Sequence, residues 1–136
     1  MKRISVVFLL LCASVASAAG DPCSSTEPKL SAAIGLTADT VIVTGVTNGQ
    51  IVVCGFSAHV SGTTPTMRFV HGSGTTCATG ITGLTGAYAP ANAGQVITSH
   101  GTMTQFTVPA SATAQDLCVD VGGTAAVQGY LTYVRK

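Results

Sequence analysis

Residues 49–60 read "GQIVVCGFSAHV". Val52, Cys54, Phe56, Ala58 and Val60 alternate with Gly55, Ser57 and His59. A period of two is that of a strand with one buried face. Just upstream, "DTVIVTGV" (39–46) is rich in β-branched residues, and "TNG" separates the two segments. Asn48-Gly49 is a dipeptide of tight hairpin turns, so the pair reads as two strands joined by a hairpin.

The same grammar continues toward the C-terminus. "TPTMRFVHG" (64–72) sets Met67, Phe69 and His71 against Arg68 and Val70. In "GSGTTCATGITGLTG" (72–86), glycines at 72, 74, 80, 83 and 86 interrupt regular structure. "TGAYAP" and "GQVITSH" offer two weaker strands, and "MTQFTVP" (103–109) ends at Pro109, as a strand can. "DLCVDV" (116–121) puts Leu117, Val119 and Val121 on one face. "AAVQGYLTYV" (125–134) opposes Val127, Gly129, Leu131 and Tyr133 to Gln128, Tyr130, Thr132 and Val134. No window carries a helical stripe. About seven to nine short strands with Gly-rich turns mean an all-β chain, a single antiparallel sandwich or barrel.

The first residues are of another kind. "MKRISVVFLLLCASVASA" has two cations, a short apolar run, and Ala16 and Ala18 in an A-x-A arrangement. That is the pattern of a cleavable secretory leader, expected to be cut after Ala18. The apolar run is shorter than the roughly 20 residues of a spanning helix. Leu11 before Cys12 does not fit a lipid-anchor site. The expected organisation is a signal peptide (1–18), an N-terminal arm (19–38) that begins with the proline-containing "AGDPCSSTEPKL", and a β-sandwich (39–136). No later run is apolar enough to span a membrane.

Without the leader, four cations (Lys29, Arg68, Arg135, Lys136) face five acids, and nothing forms the basic stripe that nucleic acid needs. Four cysteines remain: Cys23, Cys54, Cys77 and Cys118. An even count in an exported chain reads as a disulfide framework with three pairings open. The expected pairing is Cys54–Cys118, both inside strands, with Cys77 holding the arm at Cys23. One feature opposes it: Cys118 shares a strand face with Asp116 and Asp120.

The catalytic patterns are incomplete. Ser57 lacks the G-x-S-x-G frame, since His59 occupies the last position. "HGSGTT" has no following lysine or helix for a phosphate loop. A Cys77–His71 thiol pair competes poorly with a disulfide in an exported chain. His59, His71 and His100 lack metal-ligand spacing. Asp116 and Asp120 lie four apart on a strand, about 13 Å. That exceeds the roughly 5–9.5 Å of a glycosidase pair, so both read as solvated acids. No catalytic residue, metal or cofactor is expected. Phe56, Phe69 and Phe106 fit the core, whereas Tyr88 and Tyr130 fit a surface contact.

The segments together are familiar. "GDPC", "QIVVCGFSAHVSGTTPTMRFVHGSGTTCATGITGLTGAY", "DLCV" and "VQGYLTYV" occur in that order. In this the chain resembles a group of small proteins common in phage and environmental viral sequences. Their pattern runs V-C-G-[FY], G-[ST]-G-x-x-C-x-[TA]-G, L-T-G, L-C, G-x-[LV]-T-Y, and it covers most of residues 20–136. The resemblance implies a jelly-roll-like sandwich and a structural role at a virion or other surface. The leader departs from that group, because virion proteins assembled in the cytoplasm need none. The leading expectation is a non-enzymatic structural or decoration-type module of a virion or cell surface. The alternative is a secreted module that binds surface glycans. Tyr130 and Val134 share the nominally outward face of the last strand. With Tyr88 they are the expected contact residues of a homo-oligomer or larger assembly.

Overall fold

The computed structural model describes residues 20–24, 26, 28–91 and 94–136; the expected leader lies outside the described residues. Nine strands form among the described residues: β1 (Leu30–Leu36), β2 (Thr40–Val43), β3 (Ile51–Ser61), β4 (Thr66–Ser73), β5 (Thr79–Gly83), β6 (Gln95–His100), β7 (Phe106–Val108), β8 (Asp116–Gly122) and β9 (Ala126–Arg135). Sheet I has the order β1-β9-β3-β6, with β7 also on β3; sheet II has the order β2-β8-β4-β5. Every pair is antiparallel. β6 pairs with Gly55–Val60 and β7 with Ile51–Val53, so the two act as halves of one interrupted edge strand. Counted so, eight strands wrap between two four-stranded sheets. The fold is a jelly roll, the architecture that the sequence resemblance implied.

The core lies between the sheets. Phe56 on β3 meets Phe69 on β4 edge-on at 4.8 Å between centroids, and Phe106 on β7 completes the cluster at 4.9 Å from Phe69. Val53, Val60, Val108, Leu117, Val119, Val127 and Leu131 close around it with no exposed surface. Each such side chain contributes about 1.5–3 kcal/mol on burial.

Four expectations are corrected. β3 does not alternate evenly. Val53 faces Tyr133, but the next partner of β9, Thr132, faces Gly55, so Cys54 is an extra residue in a β-bulge. Ile51 and Val53 point into the core before the bulge, Phe56, Ala58 and Val60 after it, and Val52 and Cys54 point out. Second, Asn48-Gly49 makes a tight turn, with Asn48 at φ 59° and the Gly49 N–H donating to the Val46 carbonyl at 3.0 Å. It is a corner, since β2 and β3 lie in different sheets. Third, the sandwich starts at Leu30, not Asp39: β1 pairs along its whole length with β9. Fourth, the Gly-rich stretch carries an edge strand, β5, exposed throughout, while Tyr88 makes only an isolated bridge to Met67.

Two glycines of sheet I test the packing. A Cβ on Gly129 would lie 1.9 Å from the Ser57 carbonyl oxygen, whereas one on Gly35 would meet nothing within 4 Å. Gly129→Ala should cost about 3 kcal/mol, because β9 must move off β3. Gly35→Ala should be neutral or slightly stabilising. Denaturant unfolding of both variants checks this, and equal effects would refute it.

Candidate functional site

The outward face of each sheet carries a small apolar strip, and an irregular segment covers each one. On sheet I the strip is Val52, Cys54 and Val134, buried under Cys23 of the N-terminal arm. The Cys23–Cys54 disulfide fastens it, with Cα atoms 5.3 Å apart. Asp21 adds a polar clamp. Its carboxylate accepts from the Thr104 N–H (2.7 Å), the Thr104 hydroxyl (2.8 Å) and the Cys23 N–H (2.8 Å). The clamp ties the arm to the segment between β6 and β7.

On sheet II the strip is Val70 and Cys118, with Val41 beside them, and Cys77 lies over it. Gly72 is buried beneath the returning loop, where a Cβ would lie 2.6 Å from the Cys77 carbonyl oxygen. Cys77 itself takes φ 54° and donates its N–H to Gly74 at 3.2 Å. The Cys77–Cys118 disulfide closes the loop, with Cα atoms 6.3 Å apart.

The expected pairing is therefore overturned. Cys54 and Cys118 point away from each other on the two outward faces. Sheets pack about 10 Å apart, beyond the roughly 7 Å that a disulfide can bridge between Cα atoms. The two bridges fit an oxidising environment reached by export. Val134 is corrected as well: it points outward as expected but is 4% exposed beneath the arm, so it offers no contact surface.

Beyond the arm, sheet I is open. Its register gives three outward rows across β1, β9, β3 and β6: Ser31, Thr132, Gly55, His100; Ala33, Tyr130, Ser57, Thr98; Gly35, Gln128, His59, Val96. Tyr130 is 46% exposed and Val96 55%. His100 stands opposite Gly55 on β3, its ring 6.5 Å from that of Tyr130. No acid, lysine or arginine stands in these rows. The result is an open platform of hydroxyls, small residues, Gln128, Val96 and two histidines around Tyr130. "GQVITSH" carried the signal for the β6 side, but its partner across the sheet was not readable.

Among the described residues the acids serve the scaffold. Asp39 accepts the Val121 N–H (2.9 Å), Asp116 accepts the Gly45 N–H (2.7 Å), and Asp120 pairs with Arg68 across β4 and β8. The reading of Asp116 and Asp120 as merely solvated is corrected accordingly. His59 and His100 share the platform, while His71 lies in sheet II with Nδ1 3.1 Å from the Gln115 amide oxygen. Among the described residues no group of three His, Cys, Asp or Glu side chains could hold a metal. Nor is any described helix long and apolar enough to cross a membrane.

Tyr88 is half-buried, its ring 6.0 Å from Phe56. With Ala89, Pro90, Gln95 and Ile97 it lines a depression of about 210 Å³. A second, of about 350 Å³, lies beyond Pro90, against Thr64, Pro65 and Thr66. Both are uncharged. No protein family, curated protein or solved structure matches this chain.

The Asp21 clamp generates a pH signature. The Thr104 backbone N–H, assisted by the Cys23 N–H and the Thr104 hydroxyl, holds the Asp21 carboxyl below its ordinary 3.8. Its contribution to stability is present above that ordinary value and is lost as pH falls through the lower folded value. Asp21→Asn should melt below wild type at neutral pH, and the gap should narrow below pH 3.8. Melting curves from neutral to strongly acidic pH decide it; a constant gap would refute the clamp.

Proposed function

We propose that this protein is an exported, non-enzymatic structural module that docks on a virion or cell surface through the open face of sheet I. The observation that carries the reading is the open platform around Tyr130, which holds no acid, lysine or arginine. It is a hydrogen-bonded sheet surface with an exposed aromatic at its centre, flanked by a stapled arm. Exposed aromatics amid uncharged polar groups suit protein contact, since little charge must be desolvated. The resemblance to phage and environmental viral proteins supports a place in an exterior assembly. The jelly roll supports it too, as an architecture of capsid as well as lectin domains.

A second reading, a glycan-binding module, is favoured by one specific feature. The twin depressions at Pro90 are uncharged and combine the Tyr88 ring with Thr64, Thr66 and Gln95, groups that suit a neutral sugar.

The test follows the protein in the culture that produces it. Wild type should sediment with purified particles or washed cell envelopes. Tyr130→Asp combined with Val96→Lys should stay in the supernatant with an unchanged melting temperature. Wild type found only free in the medium would overturn the docking role. Loss of sedimentation on addition of neutral oligosaccharides, reproduced by Tyr88→Ala and not by the platform variant, would transfer the function to the depressions.

A further inference from the structure

A sandwich of two open sheets has four edges, here β1 and β6 in sheet I and β2 and β5 in sheet II. Edges expose unpaired backbone groups, and proteins block them with short strands, bulges, charges or prolines. Three of these edges are blocked. β2 has four residues and a register break between Val41 and Val43. β5 contains Gly80 at φ 67°, and its pairing with β4 breaks between His71 and Ser73. The β6 edge of sheet I is broken between His100 and Phe106 into β6 and the three-residue β7, opposite the bulge of β3. β1 has no such device. Its seven residues, "LSAAIGL", keep an unbroken register with β9 and hold no charge and no proline. Among the described residues only β9 pairs with it.

A second observation concerns Leu30. The row Leu30, Ala32, Ile34, Leu36 faces the core side of sheet I, since Leu30 lies opposite buried Tyr133. Ile34 and Leu36 are 3% and 7% exposed, but Leu30 is 44% exposed. A large apolar residue on the inner row is thus left nearly half uncovered.

We propose that β1 pairs antiparallel with β1 of a second copy, about a two-fold axis at Ala33, joining the two copies of sheet I into one continuous sheet. The segment suits itself in that register. Ala33 opposes Ala33, Ala32 opposes Ile34, Ser31 opposes Gly35, and Leu30 meets Leu36 of the other copy on the inner side. The outward positions Ser31, Ala33 and Gly35 are small, so nothing obstructs the approach. β1 offers a foreign strand no charged or pocketed side chain to read, whereas a two-fold pairing consumes the edge in one step and closes. The axis runs perpendicular to the sheet, so both platforms face the same side. Their Tyr130 strands then stand three strand spacings apart, about 14 Å. One strand pair is a small interface, so the dimer is concentration-dependent. The inference stands on the edge alone, whatever the platform binds.

Size-exclusion chromatography with light scattering, over a concentration series of the exported protein, tests it. Wild type should rise to twice the monomer mass and no further. Ala33→Lys sets like charges opposite each other at the axis and should remain monomeric with an unchanged melting temperature. Ala33→Cys should couple two chains on mild oxidation. Tyr130→Asp should leave the dimer intact, which separates this inference from the docking role. Wild type monomeric throughout, growth to open polymers, or a dimer that Ala33→Lys preserves and Ala33→Cys fails to trap would each overturn it.

Discussion

The structure turns on one extra residue in β3. Cys54 interrupts the ladder between β3 and β9, and the bulge reverses which face each later side chain takes. Without it, Val53 and Phe56 could not both point inward, since residues three apart on a regular strand face opposite sides. With it, β3 supplies Ile51 and Val53 to one half of the core and Phe56, Ala58 and Val60 to the other. Cys54 itself keeps the outward phase of Val52, where the N-terminal arm crosses, and the shift is what lets Phe56, two residues on, point inward. The aromatic cluster and the arm's anchor thus adjoin the same bulge.

The two flanks solve one problem in two ways. A small sandwich buries one face of each sheet, and apolar residues on the other face need a cover. Val52 and Val134 are covered by the arm, Val70 by the Gly-rich loop. Neither segment has the β-branched content or the length to dock through apolar contact alone. A disulfide that closes a loop of this length contributes about 4 kcal/mol by restricting the unfolded chain. That is comparable to burying one or two core side chains. Cys77 stands in a stretch with little to bury because the stretch is a lid, and the cysteine is its fastening. What the covers leave open on sheet I is the platform around Tyr130.

Much of the fold was legible in the sequence because period-two alternation survives wherever one face is buried. β3, β4, β8 and β9 could each be read from their own residues. The misreadings have physical reasons. The bulge hid inside a run, "IVVCGF", that is apolar on both faces, so alternation could not reveal the shift. β1 escaped because "LSAAIGL" has weak strand propensity and holds its place through pairing with β9, 100 residues away in sequence. Val134 kept its outward phase, but what lies over an outward residue is a tertiary fact. The pairing of cysteines failed for the same reason: strand membership was readable, the face of Cys54 was not. The Asp116–Cys118–Asp120 phase did point the right way, since a cysteine beside two polar positions belongs outside. The open platform was the least legible feature, because it is a patchwork of four strands united only by register.

The central claim is that each disulfide lies on its own outward face and none crosses the core. Trypsin cuts after Lys29 and Arg68 and so separates Cys23, Cys54 and the Cys77/Cys118 pair into three peptides. Mass spectrometry of the unreduced digest should find the peptide ending at Lys29 joined to residues 30–68. Residues 69–135 should appear alone, lighter than the reduced peptide by one pair of hydrogens. All three peptides joined in one species, the result that either other pairing requires, would contradict the account.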